Sequence, residues 1–286
     1  MQCVAFVVAV LLVSAAASEK HQENQKEKPH WSYLGKHGYN NWAKEYKTCG
    51  GKHQSPIDVN PFFSYVGAFE PFYFSHYHEV PSKATIINNG HALEVKMTAE
   101  NQPEMSGANL GSSYTFVQYH VHWGADNLRG SEHTINHVRY PMEMHLVHYK
   151  TEYGSLGAAL NHSDGAAVLS ILFVISANDN PSLAPLISQL KANREVGEHR
   201  ITTDLYPLTS VLPRDLSRFY RYRGSLTTPA CNEVVIWTIF DDHVPVSEKQ
   251  MASIRTLHDF NSDPLVNNFR PTQPLNERKV YRSFKK

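Results

Sequence analysis

The sequence predicts a mainly β (α+β) fold, a single domain with peripheral helices. Three observations support this prediction. Most candidate elements are short segments of aromatic and β-branched residues, the composition typical of strands. Only two segments have helical periodicity, and they do not alternate with the strands as a doubly wound sheet requires. No linker, repeat or low-complexity stretch divides residues 29–286.

Four segments are the clearest strand candidates. Residues 114–123 are rich in aromatic and β-branched side chains and end at Gly124, and residues 143–149 have the same character. Residues 168–176 form a nearly continuous apolar run, which predicts a strand buried on both faces. The fourth candidate covers residues 233–240.

Two helices are predicted. Residues 247–250 have the pattern of a capping box, which opens a helix expected to run to about Phe260. The other helix covers residues 182–195, where four apolar side chains share one face: Leu183, Leu186, Ile187 and Leu190.

The N-terminal residues are expected to leave the mature protein. Residues 1–17 are an apolar run that ends in small residues of the A-x-A type and is too short to span a bilayer, which predicts a signal peptide. Residues 18–28 are charged and rich in Gln and Lys, so we predict a disordered leader before the domain of residues 29–286. The basic C-terminal end lacks an apolar tail. A secreted, soluble protein without a membrane anchor is expected.

Charge and cysteine content restrict the partners and the compartment. Lys+Arg and Asp+Glu both number 27, so nothing favours nucleic acid, and a monomer is the default oligomeric state. Once Cys3 leaves with the signal peptide, Cys49 and Cys231 remain, and secretion favours one disulfide over two buried thiols. Closing so long a loop would contribute about 4–5 kcal/mol of stability on the chain-entropy model. Asn161 begins a sequon and is a candidate glycosylation site.

Three histidines on two predicted strands form a candidate metal site. Side chains alternate between the faces of a strand, so His120 and His122 project to the same side. A neighbouring strand could present His145 as a third ligand. Three neutral imidazoles leave Zn²⁺ an open fourth position, which is the arrangement of catalytic rather than structural sites. The sequence therefore predicts Zn²⁺ as the cofactor.

Two polar residues are placed to orient these ligands. A zinc-bound histidine usually donates its other ring N–H to an oxygen. Gln118 precedes His120 by two residues and Glu143 precedes His145 by two, so each shares the face of its histidine. The His-x-His pattern alone fits an ordinary half-exposed strand better than a metal site. The third histidine and the two orienting partners together favour the metal site. The opposite face is mostly apolar and is expected to pack into the core: Val117, Tyr119, Val121 and Trp123.

Beyond these patterns, the chain resembles a secreted alpha-class carbonic anhydrase. The resemblance extends from His30 to Pro271, over essentially the whole mature chain. The motifs that carry it are Gln54-Ser55-Pro56-Ile57-Asp58, Asn88-Asn89-Gly90-His91, Gln118-Tyr119-His120-Val121-His122-Trp123-Gly124, Ser131-Glu132-His133-Thr134, Glu143-Met144-His145-Leu146-Val147-His148 and Gly224-Ser225-Leu226-Thr227-Thr228-Pro229.

The resemblance implies a large, mostly antiparallel, twisted sheet with zinc at the bottom of a conical cavity. It implies the reversible hydration of carbon dioxide to bicarbonate and a proton, by attack of a zinc-bound hydroxide, with a histidine as proton shuttle. Such an enzyme is a carbonate dehydratase, a zinc lyase, whose partners are the small molecules carbon dioxide, bicarbonate and water. The resemblance also implies a bridge between Cys49 and Cys231.

The same resemblance implies roles for residues around the zinc. Thr227 would accept a hydrogen bond from the hydroxide and donate its own O–H to Glu132, and Thr228 would contact bicarbonate. His133 would be structural, bonded within the core. The carbon dioxide pocket would be apolar, formed by Val147, Val168, Leu226 and Trp237.

For the proton, the resemblance implies a route at the cavity wall. His91 matches the family's shuttle, and a histidine suits this task because its pKa lies near neutral pH. Tyr33 and Asn89 match residues that order the water network. Glu94 departs from the family pattern, since active members usually carry Asn or Gln there, and its carboxylate could tether that network or raise the pKa of His91.

Three alternative functions are less favoured. A zinc-less binding module of the same fold would have lost ligands, whereas all three histidines are intact, as are Thr227 and Glu132. A matrix or mineralisation protein would add repetitive or acidic insertions. A zinc peptidase would carry the helical His-Glu-x-x-His motif, which this sequence does not contain.

Overall fold

The computed structural model describes residues 31–285. The predicted signal peptide (residues 1–17) and leader (residues 18–28) lie outside the described residues. The α-helices of the described part are α1 Trp42–Glu45, α2 Leu156–Ala159, α3 Ala184–Gln189 and α4 Glu248–Ile254. Its strands are β1 Asp58–Val59, β2 Tyr65–Val66, β3 Phe72–Ser75, β4 Lys83–Asn88, β5 Leu93–Thr98, β6 Glu104–Gly107, β7 Tyr114–Trp123, β8 Thr134–Ile135, β9 Met142–Lys150, β10 Ala166–Ser176, β11 His199–Thr202, β12 Phe219–Gly224, β13 Val235–Phe240, β14 Val244–Ser247 and β15 Tyr281–Arg282.

Thirteen of these strands form one sheet. Its main path runs β11-β4-β5-β7-β9-β10-β13-β12-β15-β2, while β14 pairs with β10, and β3 joins the path through β6 and β7. Nine of the twelve pairings are antiparallel, and three are parallel. Because the described residues form one compact unit, the prediction of a single β-dominated domain is confirmed.

The four predicted strands are all present with small shifts of their ends. Residues 114–123 match β7, and β9 extends one residue beyond the prediction at each end. β10 begins two residues earlier than predicted and β13 two residues later. The expectation that β10 is buried on both faces holds as far as Phe173 but is wrong beyond it, since Ile175 is 39% exposed.

A bulge in β7 changes which of its side chains face the core. The pairing of β7 with β9 shifts register between Phe116 and Gln118. Val117 is therefore the extra residue of a bulge. The prediction that it packs into the core is wrong. Phe116 takes its place, so the side chains of β7 in the core are Tyr114, Phe116, Tyr119, Val121 and Trp123.

Both predicted helices exist but are shorter than expected. The first is α3 between two 3₁₀ turns, Pro181–Leu183 and Leu190–Ala192, and its end tightens where the amide of Asn193 bonds to the Leu190 carbonyl. Ser247 caps α4 with the predicted capping box. This helix ends at Ile254 rather than near Phe260.

The chain after α4 leaves the helix through a tight turn, in which the amides of Thr256 and Leu257 bond to the carbonyls of Ser253 and Ile254. The amide of His258 donates to the Arg194 carbonyl at 2.8 Å, and His258 then forms an isolated bridge with Pro264. These contacts compete with continuation of the helix.

The sheet separates two apolar clusters. One contains Trp123 and Leu146, and the side chains of α3 and α4 pack against it, including Leu186 and Met251. The other cluster contains Val147 with residues of β10, β12 and β13. None of the helices among residues 31–285 has the length and apolarity needed to cross a bilayer.

A disulfide joins Cys49 to Cys231 across a sequence separation of 182 residues. The two Cα atoms lie 4.9 Å apart, in a small cluster with the buried rings of Tyr33 and Trp42. The amide of Cys231 donates to the Thr228 carbonyl at 2.8 Å. The bridge confirms the predicted disulfide and anchors the loop that carries Thr228.

Candidate metal centre

The three predicted histidine ligands converge on one point of the sheet. His120 and His145 are directly opposite each other on β7 and β9, and His122 follows two residues later on β7. Their ring centroids lie 4.7–5.2 Å apart. One nitrogen of each ring lies within 4.8 Å of the others, so the group could hold a metal ion.

Each of these rings donates its outer N–H to a protein oxygen. His120 Nδ1 lies 3.0 Å from Gln118 Oε1, and His145 Nε2 lies 2.6 Å from Glu143 Oε1, as predicted from their shared faces. His122 Nδ1 donates to the Asn268 carbonyl at 2.7 Å. Since a carbonyl or carboxylate oxygen can only accept, these bonds fix the tautomers. The inner lone pairs are therefore those of His120 Nε2, His122 Nε2 and His145 Nδ1.

Asn268 was not identified from the sequence as an orienting residue. Its side chain is buried and accepts from the Trp123 amide at 2.7 Å, while its Nδ2 donates to the His91 carbonyl at 3.0 Å. The backbone carbonyl that holds His122 is locked by these bonds. Every residue type has a backbone carbonyl, so a partner that accepts through its main chain cannot be identified from its residue type.

The donor set fits a zinc ion. His122 Nε2 is buried and has no hydrogen-bond partner, which would leave a costly unsatisfied atom unless it binds a metal. Burial lowers the pKa of all three ligands, that of His122 to about 4, so each ring is neutral near pH 7 as metal binding requires. Three nitrogen ligands without a fourth protein ligand are typical of catalytic zinc.

Glu143 connects the metal ligands to the interior. Its carboxylate accepts from His145 Nε2, from His133 Nδ1 at 2.7 Å and from Ser170 Oγ at 2.7 Å, and it also accepts the backbone amides of residues 132 and 133. Burial would raise the pKa of Glu143, but the two histidines hold it well below its usual range. The cluster of His133, Glu143 and His145 is thus a hydrogen-bonded network rather than a second metal site.

His133 has both ring nitrogens occupied. Besides its bond to Glu143, its Nε2 lies 2.7 Å from the Tyr222 hydroxyl, which donates to Ser55 Oγ at 2.8 Å. This ring is fully buried. The placement agrees with the structural role that the resemblance implies.

Glu132 lies directly beside the metal ligands. Its Oε1 accepts the amide of Arg270 at 2.7 Å, and its Oε2 lies 3.4 Å from His122 Nε2 and 3.9 Å from His145 Nδ1. Burial raises the pKa of Glu132 to about 7, and the hydroxyl of Thr227 acts in the opposite direction. Thr227 is itself buried, so the two side chains are in place to interact.

Three of the residues predicted for the apolar pocket lie side by side on neighbouring strands. Val168 on β10 is the register partner of both Val147 on β9 and Trp237 on β13. Leu226 packs against the same cluster. The ring of Trp237 lies 4.8 Å from that of His145, so this apolar wall adjoins the metal ligands. Thr228 is partly buried on the same loop as Leu226.

His91, the residue predicted to export the proton, contacts the first residue that the structure describes. The ring of His91 stacks on Trp31 with 3.6 Å between centroids. Asn89 Oδ1 accepts the amides of His91 and Ala92, so this side chain holds the turn. The Tyr33 hydroxyl is buried without a hydrogen-bond partner.

Glu94 is the register partner of His120 on the adjoining strand β5. Its carboxylate lies 2.8 Å from Lys96 Nζ, in an ion pair. Neither the sequence pattern nor the resemblance predicted this pair. The negative charge beside the metal site is therefore partly compensated by Lys96.

Comparison with known proteins agrees with this geometry. Residues 37–284 match the family described as eukaryotic-type carbonic anhydrase. The chain is 36% identical to carbonic anhydrase 12 of Homo sapiens over 89% of its length and 73% of that relative. It is 34% identical to carbonic anhydrase 15 of Mus musculus, covering 96% of this chain and 88% of the relative. Against carbonic anhydrase 6 of Mus musculus it is 36% identical, over 89% and 81% of the two chains. The chain therefore belongs to the eukaryotic-type carbonic anhydrase family, and it is a lyase of the carbonate dehydratase class.

Proposed function

We propose that this chain is a secreted zinc enzyme that hydrates carbon dioxide at the site of His120, His122 and His145, with His91 as the proton shuttle. One observation carries the proposal: three inner ring nitrogens meet at one buried point, while each outer nitrogen is held by a protein oxygen. Zinc bound there would act as a Lewis acid and lower the pKa of a coordinated water to about 7.

The chain's own residues would orient the reaction. Glu132 Oε2 is buried without a hydrogen-bond partner, so it can accept a hydrogen bond from the Thr227 hydroxyl. The Thr227 oxygen would then present only lone pairs to the site, so it accepts a hydrogen bond from the attacking water and turns that nucleophile toward the substrate. Thr228 would contact the bicarbonate product.

The apolar wall would hold the substrate. Carbon dioxide is small, linear and uncharged, so Val147, Val168, Leu226 and Trp237 can bind it by excluding water rather than by hydrogen bonds.

The proton released at the centre must reach solvent. His91 is suited to accept and release it because an ordinary histidine titrates near neutral pH. Asn89 would fix the backbone of His91, and Tyr33 would offer its hydroxyl to the water chain. We expect Glu94, already paired with Lys96, to affect the rate of this step rather than to abolish it.

Secretion is part of the same proposal. We assign residues 1–17 as signal peptide, 18–28 as leader and 29–286 as catalytic domain. The disulfide supports an oxidising compartment. Asn161 is exposed in a turn, so its sequon is accessible to glycosylation. Carbon dioxide, bicarbonate and water are the proposed small-molecule partners, and we propose a monomer.

Metal removal tests the function directly. Stopped-flow hydration of carbon dioxide is measured on the purified protein, after zinc extraction by dipicolinate, and after return of one equivalent of Zn²⁺. We expect the rate to fall to background on extraction and to recover on zinc return. A His120→Ala variant should not recover under the same conditions. Full turnover in a sample free of zinc would refute the proposal.

A further inference from the structure

A cavity of about 780 Å³ lies at the end of the sheet formed by β12, β15 and β2, beside residues 277–279. Its lining contains none of the three histidine ligands. The proposed reaction assigns no role to this part of the molecule.

The lining of this cavity is strongly basic. Arg221, Arg223, Arg278 and Lys279 face it with Glu277 as the one carboxylate among its lining residues. Within residues 31–285, none of the four cations lies within salt-bridge distance of a carboxylate. A concave surface lined by one sign of charge concentrates ligands of the opposite sign.

Arg278 is held in place by carbonyl oxygens, and the nearby carboxylate of Glu233 acts on its charge without forming an ion pair with it. Its Nε donates to the Leu275 carbonyl at 3.0 Å and its Nη2 to the Pro274 carbonyl at 2.8 Å. The guanidinium lies 5.6 Å from the centroid of the Tyr222 ring, which also lines the cavity. An arginine held by carbonyls and an aromatic ring is preorganised, so little side-chain entropy is lost when an anion binds.

Arg221 contributes a second, buried charge. The residue is 7% exposed, and its Nε and Nη1 donate to the Thr238 hydroxyl and to the Ala108 carbonyl. Its Nη2 is buried without a hydrogen-bond partner. A buried cation acts through a lower effective dielectric than a surface one, so it attracts an anion in the cavity more strongly.

Apolar side chains complete the walls. Phe69, Ile236 and Tyr281 line the cavity beside the arginines. An inorganic ion would fill a small part of this volume, whereas cavities of about 300–1,000 Å³ are the usual size for organic ligands. We propose that this basic cavity binds an organic anion, with its oxyanion group at the arginines and a flat apolar body against the aromatic walls.

Fluorescence titration with 8-anilinonaphthalene-1-sulfonate tests the proposal on the zinc-loaded protein. The probe carries both an oxyanion group and an aromatic body, and its emission rises in an apolar environment. Arg223 is exposed, so Arg223→Glu should fold, and we expect it to weaken probe binding about tenfold or more by reversing a charge at the cavity. Arg200→Glu is the matched control, because Arg200 is exposed on β11 at the opposite edge of the sheet.

Competition defines the ligand class. We expect 2-naphthoate to displace the probe, while neutral 2-naphthalenemethanol and inorganic phosphate at the same concentration do not. Equal affinity for the probe in wild type, Arg223→Glu and Arg200→Glu would overturn the proposed site. An equal loss of probe affinity in both variants would overturn it as well. If phosphate alone displaced the probe, the claim that the ligand has an organic body would be wrong. One zinc per chain in Arg223→Glu excludes an indirect effect through the metal centre.

Discussion

The two faces of β9 each bury a histidine, and these two residues differ in one respect. His145 uses Nε2 for Glu143 and keeps Nδ1 toward the other ligands. His148, three residues later, has both nitrogens engaged, with the Tyr77 hydroxyl at Nε2 and the Ala167 carbonyl 3.2 Å from Nδ1. Both are almost completely buried. Burial therefore does not make a histidine a ligand; a ring nitrogen left without a protein partner and directed at a shared centre does.

The largest effect on zinc content and activity is expected when His145 and His148 are replaced separately. His145→Ala removes one of three ligands, so zinc should be lost and hydration should fall to the background rate. His148→Gln should keep one zinc per chain and wild-type hydration while the free energy of unfolding falls by about 1–3 kcal/mol, because buried partners lose their bonds. Metal analysis, stopped-flow rates and urea unfolding measure the three quantities. Zinc loss in His148→Gln would show that the two faces are not independent.

Glu143 determines which ring nitrogen His145 has available for the metal, because it accepts the N–H of the other nitrogen. Glu143→Gln weakens that control, and we expect a loss of zinc affinity of about 10–100-fold. Ser170→Ala is the control, since it removes a single donor to the same carboxylate and leaves the bond to His145. Competition with a chelator gives the affinities. An unchanged affinity in Glu143→Gln would mean that tautomer control is dispensable.

His91 represents a third kind of histidine, partly exposed and stacked on Trp31. If it exports protons, His91→Ala should lower turnover by about tenfold in dilute, weakly accepting buffer, and imidazole buffer should restore part of the rate. His137→Ala provides the control because the side chain of His137 is 81% exposed. Equal turnover of all three proteins in dilute buffer would assign the proton to another group.

The smallest effect concerns acid stability. Burial lowers the pKa of His148 to about 3. The folded protein then keeps this ring neutral while the unfolded chain binds a proton below its ordinary pKa near 6.5, so stability falls as the pH drops from about 6.5 towards 3. His148 should contribute about 1.4 kcal/mol per pH unit to this slope. Urea unfolding at pH 6 and pH 4.5 should show a shallower slope in His148→Gln, and an identical slope would contradict the assignment.

Local periodicity predicted which side chains share a face, but it did not by itself select the metal ligands. His120, His122, Gln118 and Glu143 follow from the alternation of side chains along strands, and the register of β7 with β9 then brings His145 opposite His120. The resemblance added the pocket residues and the shuttle candidate, which no spacing rule would have selected.

What the sequence could not provide depends on long-range contacts. The Asn268 carbonyl reaches His122 across 146 residues, and the Tyr222 hydroxyl reaches His133 across 89. The bulge at Val117 shifts the core face of β7, and no glycine or proline in this strand indicates it. The early end of α4 is set by a bond from His258 to the Arg194 carbonyl. Local propensity carries no information about such pairings.

The central claim is that three imidazoles, each held by a protein oxygen, offer one nitrogen to a single zinc ion. X-ray absorption at the zinc edge of the purified protein tests this claim most directly. We predict four nitrogen or oxygen scatterers at about 2.0–2.1 Å, together with the multiple-scattering signal of three imidazole rings. A zinc shell that contains sulfur, or one that is unchanged in His145→Ala, would contradict the claim.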